Sequence, residues 1–179
     1  MANKDKHFWQ ILDSVLRLEV VKGHLRWKIS DVSRLAGVQR TLVYYYFGKS
    51  KEGILKSAMA VIGDEFFGLS PERLELWSQG KVRESILRTR ELVKKAPHTT
   101  EFFFHWRHQK SDIQDVLIGL EKRYLSKLKR RFPELTDVDC RALYSIFFGL
   151  CNTPDLSDEV LDRILSHVPI LRTLGLTES

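Results

Sequence analysis

Apolar residues recur along this chain with the period of a helix and not of a strand. Phe8, Ile11, Leu12, Val15 and Leu16 follow the i, i+3, i+4, i+7, i+8 spacing that lines one helical face. That first helix is predicted to stop near Lys22-Gly23, since glycine takes the left-handed conformation that ends helices. After a loop through Trp27, the residues Ile29, Val32, Leu35 and Ala36 form one face of a short second helix, which Gly37 ends. Val38 starts a turn into a third short helix, Gln39 to Phe47. Ser50 can cap a longer helix to Phe67, with Ile54, Leu55, Ala58, Met59 and Ile62 facing inward, before Gly68 and Pro71 break it. Further helices are expected near residues 81–96, 98–109, 112–132, 137–151 and 157–174. Strand alternation, repeats and low-complexity linkers are not evident, so the expected fold class is all-α.

Two short helices around a glycine suggest a helix-turn-helix. The pattern divides the chain into an N-terminal three-helix helix-turn-helix domain, residues 1–50, and a second helical domain, residues 51–179. With 179 residues, 43% of them hydrophobic, there is material for packed cores. No run of 18 apolar residues occurs, and Met1 to Lys6 is polar, so a cytoplasmic location with no membrane contact is expected. Cys140 and Cys151 lie 11 residues apart in one predicted helix, out of bridging range, and are expected reduced.

Charge sharpens the division. Residues 1–56 hold 11 Lys plus Arg against 5 acids, so this segment carries the whole chain's formal excess of +6 and the remainder is neutral. A local cationic surface is what phosphate binding requires, because neutralising phosphates releases condensed counterions. Gln39, Arg40, Thr41, Tyr44 and Tyr45 are polar-tipped residues at the start and outer face of a helix short enough for a major groove. Lys28, Ser30 and Arg40 are further phosphate candidates, since helix N-termini favour anions.

The segment Trp27 to Leu55 combines Leu35-Ala36-Gly37-Val38, Tyr44-Tyr45-Tyr46-Phe47 and Lys51. It resembles the helix-turn-helix signature of the TetR family of transcriptional regulators, over about the first third of the chain. The resemblance implies that Gln39, Arg40, Thr41 and Tyr45 face bases or adjacent backbone, while Tyr44 and Lys51 hold phosphates. It implies a homodimer on a palindromic double-stranded DNA operator, with repression relieved by a small-molecule effector. Three positions depart from the pattern: Leu42 replaces a small or hydroxyl residue, Lys49 lengthens the Phe-to-Lys spacing by one, and Gly53 replaces a helix former.

In the second domain, the stripe Leu143, Ile146, Phe147, Leu150 and the stripe Val160, Leu161, Ile164, Leu165, Val168, Leu171 exceed what one helix needs for a core. Dimerisation is expected there. Aromatic abundance makes Phe103, Trp106 and Tyr124 candidates for an effector pocket that takes a small apolar or aromatic molecule. His98, Glu101, His105 and His108 fall near one helical face, but their span of about 15 Å is too long for one ion, so no metal or cofactor is expected. The absence of P-loop, G-x-G-x-x-G, H-E-x-x-H and G-x-S-x-G motifs argues against an enzyme. The competing reading is a helical ligand-binding or protein-interaction module that has lost operator recognition.

Overall fold

A computed structural model describes residues 6–153, 155–169 and 171. Among them every regular element is helical: α1 Lys6–Lys22, α2 Ile29–Ala36, α3 Arg40–Phe47, α4 Lys51–Val61, α5 Pro71–Ser78, α6 Val82–Lys95, α7 His98–Arg107, α8 Asp112–Arg131, α9 Asp137–Asn152 and α10 Asp158–His167. No helix among the described residues is long and apolar enough to cross a membrane.

Local chemistry sets most boundaries. Gly23, Gly37 and Gly48 follow α1, α2 and α3 at positive φ, of 84°, 65° and 87°, and so allow turns that a side chain would strain. The Ser50 hydroxyl accepts a hydrogen bond from the Gly53 N–H at 2.9 Å and caps α4. Ser70, Ser111, Thr136 and Ser157 cap α5, α8, α9 and α10 in the same way.

Three expectations need correction. The helix predicted from Ser50 to Phe67 does not stay regular: after Val61 it widens into a π-turn over Ile62–Phe66, closed by the Phe67 N–H donating to the Ile62 carbonyl five residues back. Helix α5 went unread, because its eight residues lie between Pro71 and Gly80 and leave little room for a period to show. Helix α10 ends at His167 with Val168 extended, and residue 170 and residues 172–174 of the helix predicted there lie outside the described residues.

Two hydrophobic cores result. The first joins α1, α2, α3 and α4 to the π-turn, α7 and the first half of α8, and includes Trp27, Phe47, Ile54, Phe102 and Leu117. The second gathers α5, α6, the end of α8, α9 and α10 around Trp77, Ile86, Leu143, Phe147 and Leu161. The expected boundary at residues 50/51 therefore does not divide the cores, since α4, α7 and α8 complete the packing of the N-terminal helices. The two C-terminal stripes pack into the second core, with α9 set against α6 and α8: Leu143, Phe147, Leu150, Leu161, Leu165 and Leu171 are buried within this one chain, while Val160 is exposed. The apolar surplus read as a partner surface is thus largely covered internally.

Helix α7 is also tied to α1 by polar contacts. Asp13 accepts from the His98 backbone N–H and contacts His98 Nδ1, both at 2.8 Å. Both cysteines are free, with Cys140 buried and Cys151 half-buried, and burial pushes the Cys151 thiol up to about 11.

Candidate nucleic-acid interface

The site is built on the turn between α2 and α3. Gly37 takes the left-handed conformation, and its N–H and that of Val38 return to the Arg34 and Ser33 carbonyls. The Ser33 hydroxyl donates to the Val38 carbonyl at 2.6 Å, so the turn is held from both ends. Val43 and Phe47 anchor α3 in the first core, with Phe47 stacked on Phe8 at 4.9 Å. That anchoring leaves the opposite side of α3 outward. Leu35, expected on the inner face of α2, is 41% exposed, because eight residues against α1 bury only the Val32–Ala36 strip.

Of the candidate contacts, Gln39, Arg40, Thr41 and Tyr45 are exposed, and Tyr45 is 73% so. Gln39, Thr41 and Tyr45 line one open concavity together with His7 from the start of α1, Val38 and Leu42. His7 was not singled out from sequence, since only the packing of α1 across α3 brings it here. Tyr44 is half-buried and lies outside that concavity, as do Lys28 and Ser30 at the start of α2. Lys28 is exposed and Ser30 half-buried.

Arg26, Lys28, Arg40 and Lys49 are exposed and form no ion pair among the described residues. Asp31, by contrast, is saturated: it contacts Lys22 at 2.6 Å and Arg34 at 2.9 Å and accepts from the Lys28 N–H at 2.8 Å. The Lys22 hydrogen bond, followed by that of the Lys28 backbone, holds its carboxyl below the usual range. The Asp31 carboxylate is therefore engaged within α1 and α2 and does not pair with these exposed cations.

Lys51 does not project freely. Its Nζ donates to the Leu25 carbonyl at 2.5 Å. Leu25 itself sits at φ 53°, a strained backbone for a branched side chain. Its N–H donates to Glu19 Oε1 at 3.0 Å, and the same oxygen accepts from Trp27 Nε1 at 2.5 Å. The second Glu19 oxygen lies 3.2 Å from His24 Nδ1. Glu19 is fully buried and organises the whole α1–α2 loop. Sequence reasoning missed it, and the available signal was an acid between Leu18 and Val20 near the end of α1. Lys51→Ala is expected to lower the melting temperature, read by thermal denaturation.

The departures from the motif acquire physical reasons. Leu42 is half-buried against the first core. Lys49 is exposed in the loop between α3 and α4. A Cβ on Gly53 would lie 2.9 Å from the capping Ser50 hydroxyl. Gly53→Ala is therefore expected to give no net stabilisation in urea denaturation. The helix-propensity gain of about 1 kcal/mol is offset by a disturbed cap of about 1 kcal/mol.

The three effector-pocket candidates separate. Tyr124 lines a cavity in the body, and burial raises its hydroxyl far above its usual range. Phe103 stands behind that cavity's wall, 5.0 Å from Phe148. Trp106 packs edge-on to His24 at 6.0 Å, against the α1–α2 loop. Aromatic abundance grouped the three, but α7 turns Phe103 and Trp106 into the first core. Among the described residues no three His, Cys, Asp or Glu side chains gather as a metal site, and His98 is engaged by Asp13. No family model matches the chain, and no curated protein or solved structure matches it either.

Proposed function

We propose that the chain binds double-stranded DNA through the α2–α3 region as a TetR-like transcriptional regulator, a homodimeric repressor released by a small-molecule effector. One observation carries this reading: the polar and cationic residues at the start of α3, Gln39, Arg40 and Thr41, are exposed and uncommitted, while the other side of the same short helix is locked in the core. Helix α3 is then the element that enters the major groove, N-terminus first, with Tyr45 on its outer face. Arg26, Lys28 and Lys49 supply phosphate neutralisation around it.

For the homodimer, support comes from α9, where Val138, Ala142, Ser145 and Gly149 form an exposed stripe of small side chains at i, i+4, i+7, i+11, suited to close approach of a second helix. Two-fold pairing would present two α3 helices to a palindromic operator. Sedimentation of the full chain is the direct check, with a dimer the expected species.

Selection from a random duplex pool tests the function. Enrichment of an inverted repeat is expected, and a failure to enrich any sequence overturns the reading. On the selected duplex, Arg40→Ala should reduce the slope of log affinity against log salt by about 0.9. The second reading, an interaction module without operator recognition, is favoured by the engagement of Lys51 with Leu25. It requires binding to random duplex that is weak and indifferent to salt.

A further inference from the structure

A buried cation with no ion pair among the described residues lies in the body. Arg73, in the first turn of α5, is only 4% exposed. Its Nη2 donates to the Ser85 carbonyl and the Thr89 hydroxyl of α6. Nε and Nη1 are buried and have no hydrogen-bond partner among the described residues, although they carry three of the five guanidinium protons. Among the described residues no carboxylate forms an ion pair with it, and Glu65 acts on it through longer-range attraction. A desolvated, half-satisfied charge is costly to a fold unless something completes it.

Arg73 lines a small cavity of about 40 Å³, walled by Phe66, Trp77, Tyr124, Tyr144 and Phe148. A second cavity, of about 80 Å³, adjoins it, sharing Gly68, Trp77 and Tyr124 and continuing between Leu74 and Phe132. Gly68, at φ 62°, brings bare backbone against the guanidinium, where a Cβ would lie 3.6 Å from Nε and Nη2. The result is one fixed positive charge at the end of an aromatic space.

We propose that this cavity binds a small monocarboxylate with a flat aromatic body, its anionic end on Arg73 and its rings among Phe66, Trp77, Tyr124 and Phe148. A single guanidinium matches one negative charge, and a dianion such as a phosphate monoester would bury a charge without compensation. Ring edges and faces in the walls favour an aromatic body over a flexible chain. The site also has a mechanical link to the N-terminal helices. Phe66 stands on the π-turn that continues α4, and the first residue of α4, Lys51, holds the Leu25 carbonyl. Displacing Phe66 on binding would therefore pull on the α1–α2 loop. That consequence rests on the DNA-binding reading, whereas occupancy of the cavity does not.

The test uses the full chain without DNA. Benzoate, phenylacetate and indole-3-acetate are titrated in thermal denaturation and calorimetry beside the corresponding neutral amides. At least one acid is expected to raise the melting temperature, by about 4 °C at ten times its dissociation constant, with the amides inert. Arg73→Lys keeps the charge but loses the planar fork, and should weaken binding about tenfold or more. Phe148→Trp leaves Arg73 in place and narrows the cavity, so it should abolish binding even if the Arg73 variant fails to fold. The proposal is overturned if acids and amides act alike, if no acid binds, or if Phe148→Trp binds as the parent does. Failure of operator selection with acid binding intact would overturn the DNA reading alone.

Discussion

Glu19→Leu is expected to lower stability by about 3 kcal/mol in urea denaturation, because it strips the acceptor from the buried Trp27 indole N–H and the half-buried Leu25 N–H at once. Leucine fills much of the volume but leaves Trp27 Nε1 and the Leu25 N–H, both now bonded to Glu19 Oε1, without a partner. The Leu25 backbone, at φ 53°, then keeps only the Lys51 contact on its carbonyl. Glu19→Gln is the informative companion. Its amide oxygen can keep both acceptor roles and its NH2 can donate to His24, so a loss of under about 1 kcal/mol is expected. Equal losses in the two variants would show that charge, and not hydrogen bonding, holds the loop.

The second large effect is expected at Phe102→Ala, a loss of about 4 kcal/mol typical of a large buried aromatic removed from a core. Phe102 has 0% exposure and belongs to the core in which α7 packs with α1 and α8. Its neighbour Phe104 is 53% exposed and touches Phe103 and Phe148 by ring edges at 5.5 and 5.8 Å. Phe104→Ala should therefore cost less than about 1 kcal/mol. Since the first core runs from α1 to α8, Phe102→Ala should lower the unfolding midpoint of N-terminal and C-terminal probes together. A separate early transition confined to residues 51–179 would contradict the shared core.

Phe102, Phe103 and Phe104 illustrate where sequence reasoning stops. Consecutive residues on a helix point about 100° apart, so one of the three had to face outward, but nothing local says which. Trp106 and Tyr124 pose the same problem at longer range. Both suit a pocket wall by composition, yet Trp106 packs on His24 and only Tyr124 reaches the cavity. Arg73 was invisible as a candidate. In sequence it is an ordinary base after Pro71, and its burial follows from α5 folding down on α6.

The helical class, the first four helices and most of their ends were legible along the chain, because period, glycine stops and hydroxyl caps are local properties of neighbouring residues. The concentration of positive charge in residues 1–56 is likewise independent of folding. Partner choice was not legible. Tertiary packing set Lys51 on Leu25, Asp13 on His98 and Arg73, without an ion pair among the described residues, beside an aromatic cavity, and it buried most of the C-terminal apolar stripes in a core shared with α5, α6 and α8. These contacts join residues far apart in the chain, and which buried surface meets which depends on how whole helices dock, a choice that no short stretch of sequence encodes.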